Sequence, residues 1–241
     1  MQIEVIHQII LKARAGSLPT ISNSFSTIIY AGHSYGSILG NNLNNVYPSD
    51  ANATILTGYS DQYDTAIAGV IAEVVLLPAS IAQPARYADY NMGYLEFSDE
   101  TGTTYEFYTA TGDYDTTFAN LDYQNRGTIA VGEATTLALT VTSAPSYKGP
   151  VYVMTGQNDQ IMCGVTRVDL SGILGDLLGG VLSGEANCND AGILTNLSSL
   201  YPSAASFDIY VVPNSGHCWH LEYNAYAAFG TAHNWLAGKG F

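Results

Sequence analysis

From Thr27 to Ala31 the chain runs Thr-Ile-Ile-Tyr-Ala, with apolar, β-branched and aromatic side chains and no polar/apolar alternation. A strand covered on both faces of a parallel sheet carries that continuous pattern, because it has no solvent face to mark with polar residues. Similar runs occur at Ala53 to Thr57, Pro150 to Thr155 and Phe207 to Val212. Between them the period becomes helical. Glu4 to Ala15 is amphipathic, and Ser34 to Val46 has helical spacing closed by Pro48. Thr65 to Leu77 is apolar and helical, followed by Pro78 and Pro84; Thr116 to Gln124 and Ala130 to Leu139 repeat the helical period. Glu222 to Leu236 closes the chain with apolar positions that would cover a sheet. Short apolar strands separated by helices predict an α/β domain with a mostly parallel sheet and flanking helices.

The turn after the first run reads Gly32-His33-Ser34-Tyr35-Gly36. In a Gly-x-Ser-x-Gly turn between strand and helix, the serine sits in a strained backbone conformation with its hydroxyl exposed, and its neighbours must lack bulk. Gly32 and Gly36 are expected to supply that room. Five residues alone also read as an ordinary glycine-rich turn, so the weight falls on two further positions. Asp159 ends Gly156-Gln157-Asn158-Asp159 just past one strand, and His217 ends Pro213-Asn214-Ser215-Gly216-His217 past the last. A nucleophile, an acid that orients an imidazole and a histidine base thus follow three strands in the order Ser34, Asp159, His217. Asp61 stands in reserve as the acid, with Asp50 and Asp64 nearby.

On these residues the chain resembles the α/β-hydrolase superfamily. Within it, Gly32 to Ser37, Ile55 to Ser60, Thr155 to Asp159 and Pro213 to His217 are similar to segments of secreted fungal α/β-hydrolase-like proteins. The resemblance implies Ser34 as nucleophile, Asp159 as acid, His217 as base and the backbone N–H of Tyr35 as an oxyanion donor. It implies a core at residues 1–60 and 148–241, with a helical or irregular cap at 61–147. Only Met1 to Asn23 precede the nucleophile strand, where the superfamily places four strands and a helix. The chain is therefore expected to be N-terminally truncated and to lack the loop with the second oxyanion donor, a loss that typically costs about 10²–10³ in turnover. Its first strand would be an open edge that invites a homodimer.

Seven basic against twenty-one acidic residues give a net charge of −14, which disfavours nucleic acid and anionic membranes as partners. No run of eighteen apolar residues marks a membrane span. Of three cysteines, Cys163 and Cys188 bracket a loop beyond Asp159, and their pairing would brace it; the alternative is three reduced thiols in a cytoplasmic protein. The sequons at Asn52 and Asn196 lean toward a secreted glycoprotein. His217, Cys218 and His220 lack a fourth metal ligand, so no metal and no cofactor are expected. His33 reads as a packing residue and His220 as a surface or supporting group.

In the expected cap, Tyr90, Tyr94, Phe97, Tyr105, Phe107, Tyr108 and Tyr114 read as its small core or as the lining of a pocket for a small apolar ester-like substrate. The Gly- and Leu-rich stretch Val165 to Asn189 reads as a loose surface helix or as a mobile flap. Two functions follow: a serine-dependent esterase-like hydrolase working through an acyl-enzyme, or a catalytically silent binding protein of the same fold.

Overall fold

The computed structural model describes residues 2–61, 76–109, 111–136, 142–164 and 186–241. Helix α1 (Gln2–Ala15) precedes β1 (Ile29–His33), α2 (Tyr35–Val46) and β2 (Ala53–Thr57). The insertion holds β3 (Leu76–Pro78), α3 (Ala79–Ala82), α4 (Pro84–Tyr87), β4 (Tyr94–Phe97), α5 (Glu100–Phe107), α6 (Thr116–Asn125), β5 (Ile129–Ala130) and α7 (Val131–Thr136). The chain continues with β6 (Val151–Gly156), α8 (Gln160–Cys163), a 3₁₀ turn (Thr195–Leu200), β7 (Phe207–Val212), a second 3₁₀ turn (Trp219–Leu221) and α9 (Ala225–Gly238).

Strands β1, β2, β6 and β7 form a parallel sheet in that order. The register sets His33 opposite Thr57, Thr57 opposite Met154 and Gly156 opposite Val212. The carboxyl ends of the strands therefore lie together, and the turns after β1, β6 and β7 leave the sheet at one end, where ligands of open α/β sheets bind. Every residue of β6 is buried, as its unbroken apolar run requires. Its side chains divide by the period of two: Val151 and Val153 join the Ile38 and Leu56 side of the sheet, whereas Tyr152 and Met154 pack with Val212, Trp219 and Ala228. Helix α2 covers the first face. Its buried Asn41 and Asn44 are satisfied by the Tyr201 hydroxyl at 3.0 Å and Thr54 Oγ1 at 3.1 Å.

These elements define a partial α/β-hydrolase fold, a mostly parallel sheet with flanking helices. The insertion adds a feature that its sequence does not announce, an antiparallel sheet ordered β3-β4-β5. Leu77, expected at the end of a helix, lies in β3; residues 62–75 of that stretch fall outside the described residues, as do 137–141 and 165–185. Strand β1 starts two residues later than its apolar run and takes in Gly32 and His33, because pairing with β2 continues to Thr57. The last helix starts at Ala225 rather than Glu222, since the chain first makes the 3₁₀ turn and buries Glu222.

Candidate active site

Ser34 follows β1 as the N-cap residue of α2, with φ 54° and ψ −121°, a conformation disfavoured for any residue with a Cβ. It is held from both sides: its N–H donates to the Thr57 carbonyl at 2.9 Å, and its own carbonyl accepts from Ser37 at 2.8 Å. Gly32 makes the turn sterically possible, because a Cβ there would come 2.4 Å from the Gly36 carbonyl oxygen. Gly36 differs from the sequence expectation. A Cβ at that position meets no atom within 4 Å, so the turn does not need its smallness. Tyr35 opens the first turn of α2, where amide N–H groups lack helical acceptors.

Asp159 and His217 meet across two strands, with Asp159 Oδ2 2.8 Å from His217 Nδ1 and both side chains fully buried. A carboxylate oxygen accepts from Nδ1–H, which leaves the imidazole lone pair on Nε2. That atom is buried and has no hydrogen-bond partner among the described residues, Ser34 included. The other oxygen of Asp159 accepts from the Met162 N–H at 2.9 Å, fixing the carboxylate as the cap of α8. Cys163 is disulfide-bonded to Cys188, as the bracketing of the loop suggests, and the Cys188 N–H donates to the Gln157 carbonyl at 2.8 Å. Asp159 thus sits in a segment tied down at both ends. Asp50 instead pairs with His7 at 2.7 Å, and Asp64 lies outside the described residues. With His217 bonded to Asp159, the reserve role of Asp61 falls away.

Four rings gather at this end of the sheet. His33 lies 4.8 Å from His217 and 4.5 Å from His220, centroid to centroid, and the edge of Phe107 approaches His217 at 5.6 Å. Burial, reinforced by the two neighbouring histidines, pushes His33 down to about 2, and burial also lowers His220. Gly58, at φ 53°, leaves room for the rings: a Cβ would stand 2.9 Å from Cε1 of both His217 and His33.

The loop carrying His217 is anchored by Glu222, whose oxygens each lie 3.1 Å from the Gly216 N and one of which accepts from the Thr109 N–H at 3.2 Å. Burial pushes this carboxyl up to about 7 against the pull of those N–H donors. Read as the start of the terminal helix that covers the sheet, Glu222 carries no sequence signal of this role. The Cys218 N–H donates to the Phe107 carbonyl at 2.7 Å, a second tie to the insertion. Of the insertion's aromatics, Tyr105 and Tyr114 line an open cavity of about 460 Å³ with Glu100, Thr101, Thr104 and Thr109. Tyr108 is buried and donates to Asp122 at 2.9 Å, whereas Tyr90 and Tyr94 are exposed and meet edge to face.

No family model and no curated protein matches the sequence. By structure, 111 solved chains match. BpoC of Mycobacterium tuberculosis H37Rv, a candidate non-heme bromoperoxidase, has a TM-score of 0.55 at 11% identity, over 98% of this chain and 72% of that one. A monoacylglycerol lipase of Paleococcus ferrophilus has a TM-score of 0.51 at 12% identity, over 98% and 74%. A thermophilic esterase of Thermogutta terrifontis has a TM-score of 0.50 at 15% identity, over 88% and 65%. At these identities the likeness establishes the fold alone.

Proposed function

We propose that this chain is a serine hydrolase acting on carboxylic esters or related acyl substrates. Ser34 Oγ attacks the acyl carbon while His217 Nε2 takes the hydroxyl proton, and Asp159 holds the imidazole in the tautomer that permits it. The Tyr35 N–H receives the developing oxyanion. The alcohol departs with the proton from His217; water, deprotonated by the same nitrogen, then releases the acid from Ser34. The observation that carries this reading is the backbone of Ser34. A side-chain-bearing residue held at φ 54°, ψ −121° stores strain of about 1–3 kcal/mol, and it does so at the sheet end that also holds the buried Asp159–His217 pair.

Phe107 against the His217 ring favours an apolar acyl or alcohol group of small or medium size. The Cys163–Cys188 disulfide and the exposure of Asn52 and Asn196 support passage through an oxidising compartment, in keeping with the resemblance to secreted fungal proteins. The edge position of β1, with Ile29 39% exposed, supports a homodimer paired along that strand. Among the described residues no helix is long and apolar enough to cross a membrane.

A second reading, a binding protein with a silent site, draws on the missing hydrogen bond between Ser34 and His217. Such bonds are often long until substrate arrives, so this observation weighs less than the strained serine. Turnover of a p-nitrophenyl ester series from acetate to decanoate separates the two. The hydrolase reading expects activity that disappears in Ser34→Ala; turnover equal in wild type and variant would refute it.

A further inference from the structure

Beside the His217 ring lies a second group of side chains with no part in the reaction above. His33 ends β1, whereas Cys218 and His220 belong to the turn after β7, and one ligand-capable atom of each lies within 4.8 Å of the other two. Close in sequence stand His217, Cys218 and His220, which are discounted as a metal site for want of a fourth ligand. Asp159 takes His217 out of that set, and a residue 185 positions before Cys218 replaces it.

The surroundings prepare these atoms as ligands. The Thr57 hydroxyl donates to the Gly32 carbonyl at 2.9 Å, so the 3.0 Å contact with His33 Nδ1 is donated by the imidazole. The lone pair of His33 is then on Nε2, with the ring orientation fixed by its second hydrogen bond, as in metal-binding histidines. Cys218 is unpaired and buried, and its N–H is tied to Phe107. Two imidazoles and one thiol form a borderline-soft donor set, suited to Zn²⁺ and its neighbours rather than to Ca²⁺ or Mg²⁺.

We propose that His33, Cys218 and His220 bind one thiophilic transition-metal ion of the Zn²⁺ class, which fastens the end of β1 to the turn that carries His217. Tetrahedral bonds of about 2.0–2.3 Å space ligand atoms roughly 3.3–3.7 Å apart, so the three donors close by about 1 Å when the ion enters. As the metal–sulfur bond forms the S–H bond breaks, its proton passes to solvent, and water fills the fourth position.

The test uses the intact chain with Co²⁺ and Zn²⁺ and does not depend on hydrolase activity. The site predicts one equivalent of Zn²⁺ bound, a thiolate-to-cobalt charge-transfer band in the near ultraviolet with tetrahedral visible bands, and a rise in Tm on adding Zn²⁺. Cys218→Ser should abolish the charge-transfer band, and His220→Gln should weaken Zn²⁺ binding about 10–100-fold; a circular dichroism spectrum matching wild type shows that each variant is folded. Absence of stoichiometric binding, or binding that both folded variants retain in full, overturns the proposal. Covalent labelling of Ser34 in a chain that binds no metal would reject this site and leave the hydrolase reading standing.

Discussion

Both carboxylate oxygens of Glu222 stand 3.1 Å from the amide nitrogen of Gly216, the residue before His217. The position of His217 therefore depends on a side chain five residues further along, which also accepts from the Thr109 N–H of the insertion.

That bond carries a pH signature. Burial raises Glu222 from its ordinary value of 4.5 to about 7 in the folded chain. The folded protein holds the proton more tightly than the unfolded chain, so this group's stabilisation is fully present below pH 4.5 and fades as pH rises through 7. Its slope has a ceiling of about 1.4 kcal/mol per pH unit. Urea midpoints measured between pH 5 and 8 should fall with pH in the wild type and fall less steeply in Glu222→Gln.

Replacing Ser34 with glycine should separate activity from stability. Glycine accepts φ 54° without a Cβ clash, which relieves about 1–3 kcal/mol of strain and costs back about 0.5–1 in chain entropy. A net gain of about 1 kcal/mol corresponds to a Tm higher by about 2–4 °C for a chain of this size. Calorimetry should show that rise while ester turnover vanishes.

Gly58→Ala should instead lose both stability and activity. The new methyl group would stand 2.9 Å from Cε1 of His217 and of His33, on a backbone at φ 53° that alanine resists. Steric push and backbone strain together should cost about 1–3 kcal/mol and displace the base. A folded variant with normal kcat/KM would show that these rings do not need their present positions.

Cutting the Cys163–Cys188 bond by the double change to alanine should release the segment that presents Asp159. The bond spans 25 residues, for which loop-closure entropy predicts a loss of about 3–4 kcal/mol. Because the Met162 and Cys163 N–H groups cap and anchor Asp159, turnover should fall as well as the melting temperature.

The parts of this architecture that read well from sequence are those built from continuous chain. Ala53 to Thr57 and Phe207 to Val212 are strands over those same residues, because buried parallel strands advertise themselves by unbroken apolar runs. The Asp159–His217 contact was also legible, since both residues sit where strands end. The small sheet was not: its strands are three, four and two residues long, too short to show a period. Glu222 and His33 escaped for a different reason. A glutamate before a helix and a histidine in a turn carry local explanations of their own, and their contacts with Gly216, Thr109 and Thr57 come only from folding.

The central claim is that Ser34 is an activated nucleophile, and reaction of the intact chain with a fluorophosphonate, with the adduct located by peptide mass spectrometry, tests it most directly. The account predicts a single adduct on Ser34, formed at least a hundredfold more slowly in His217→Ala and absent in Ser34→Ala. A folded wild-type chain that stays unlabelled, or one labelled elsewhere, would contradict it.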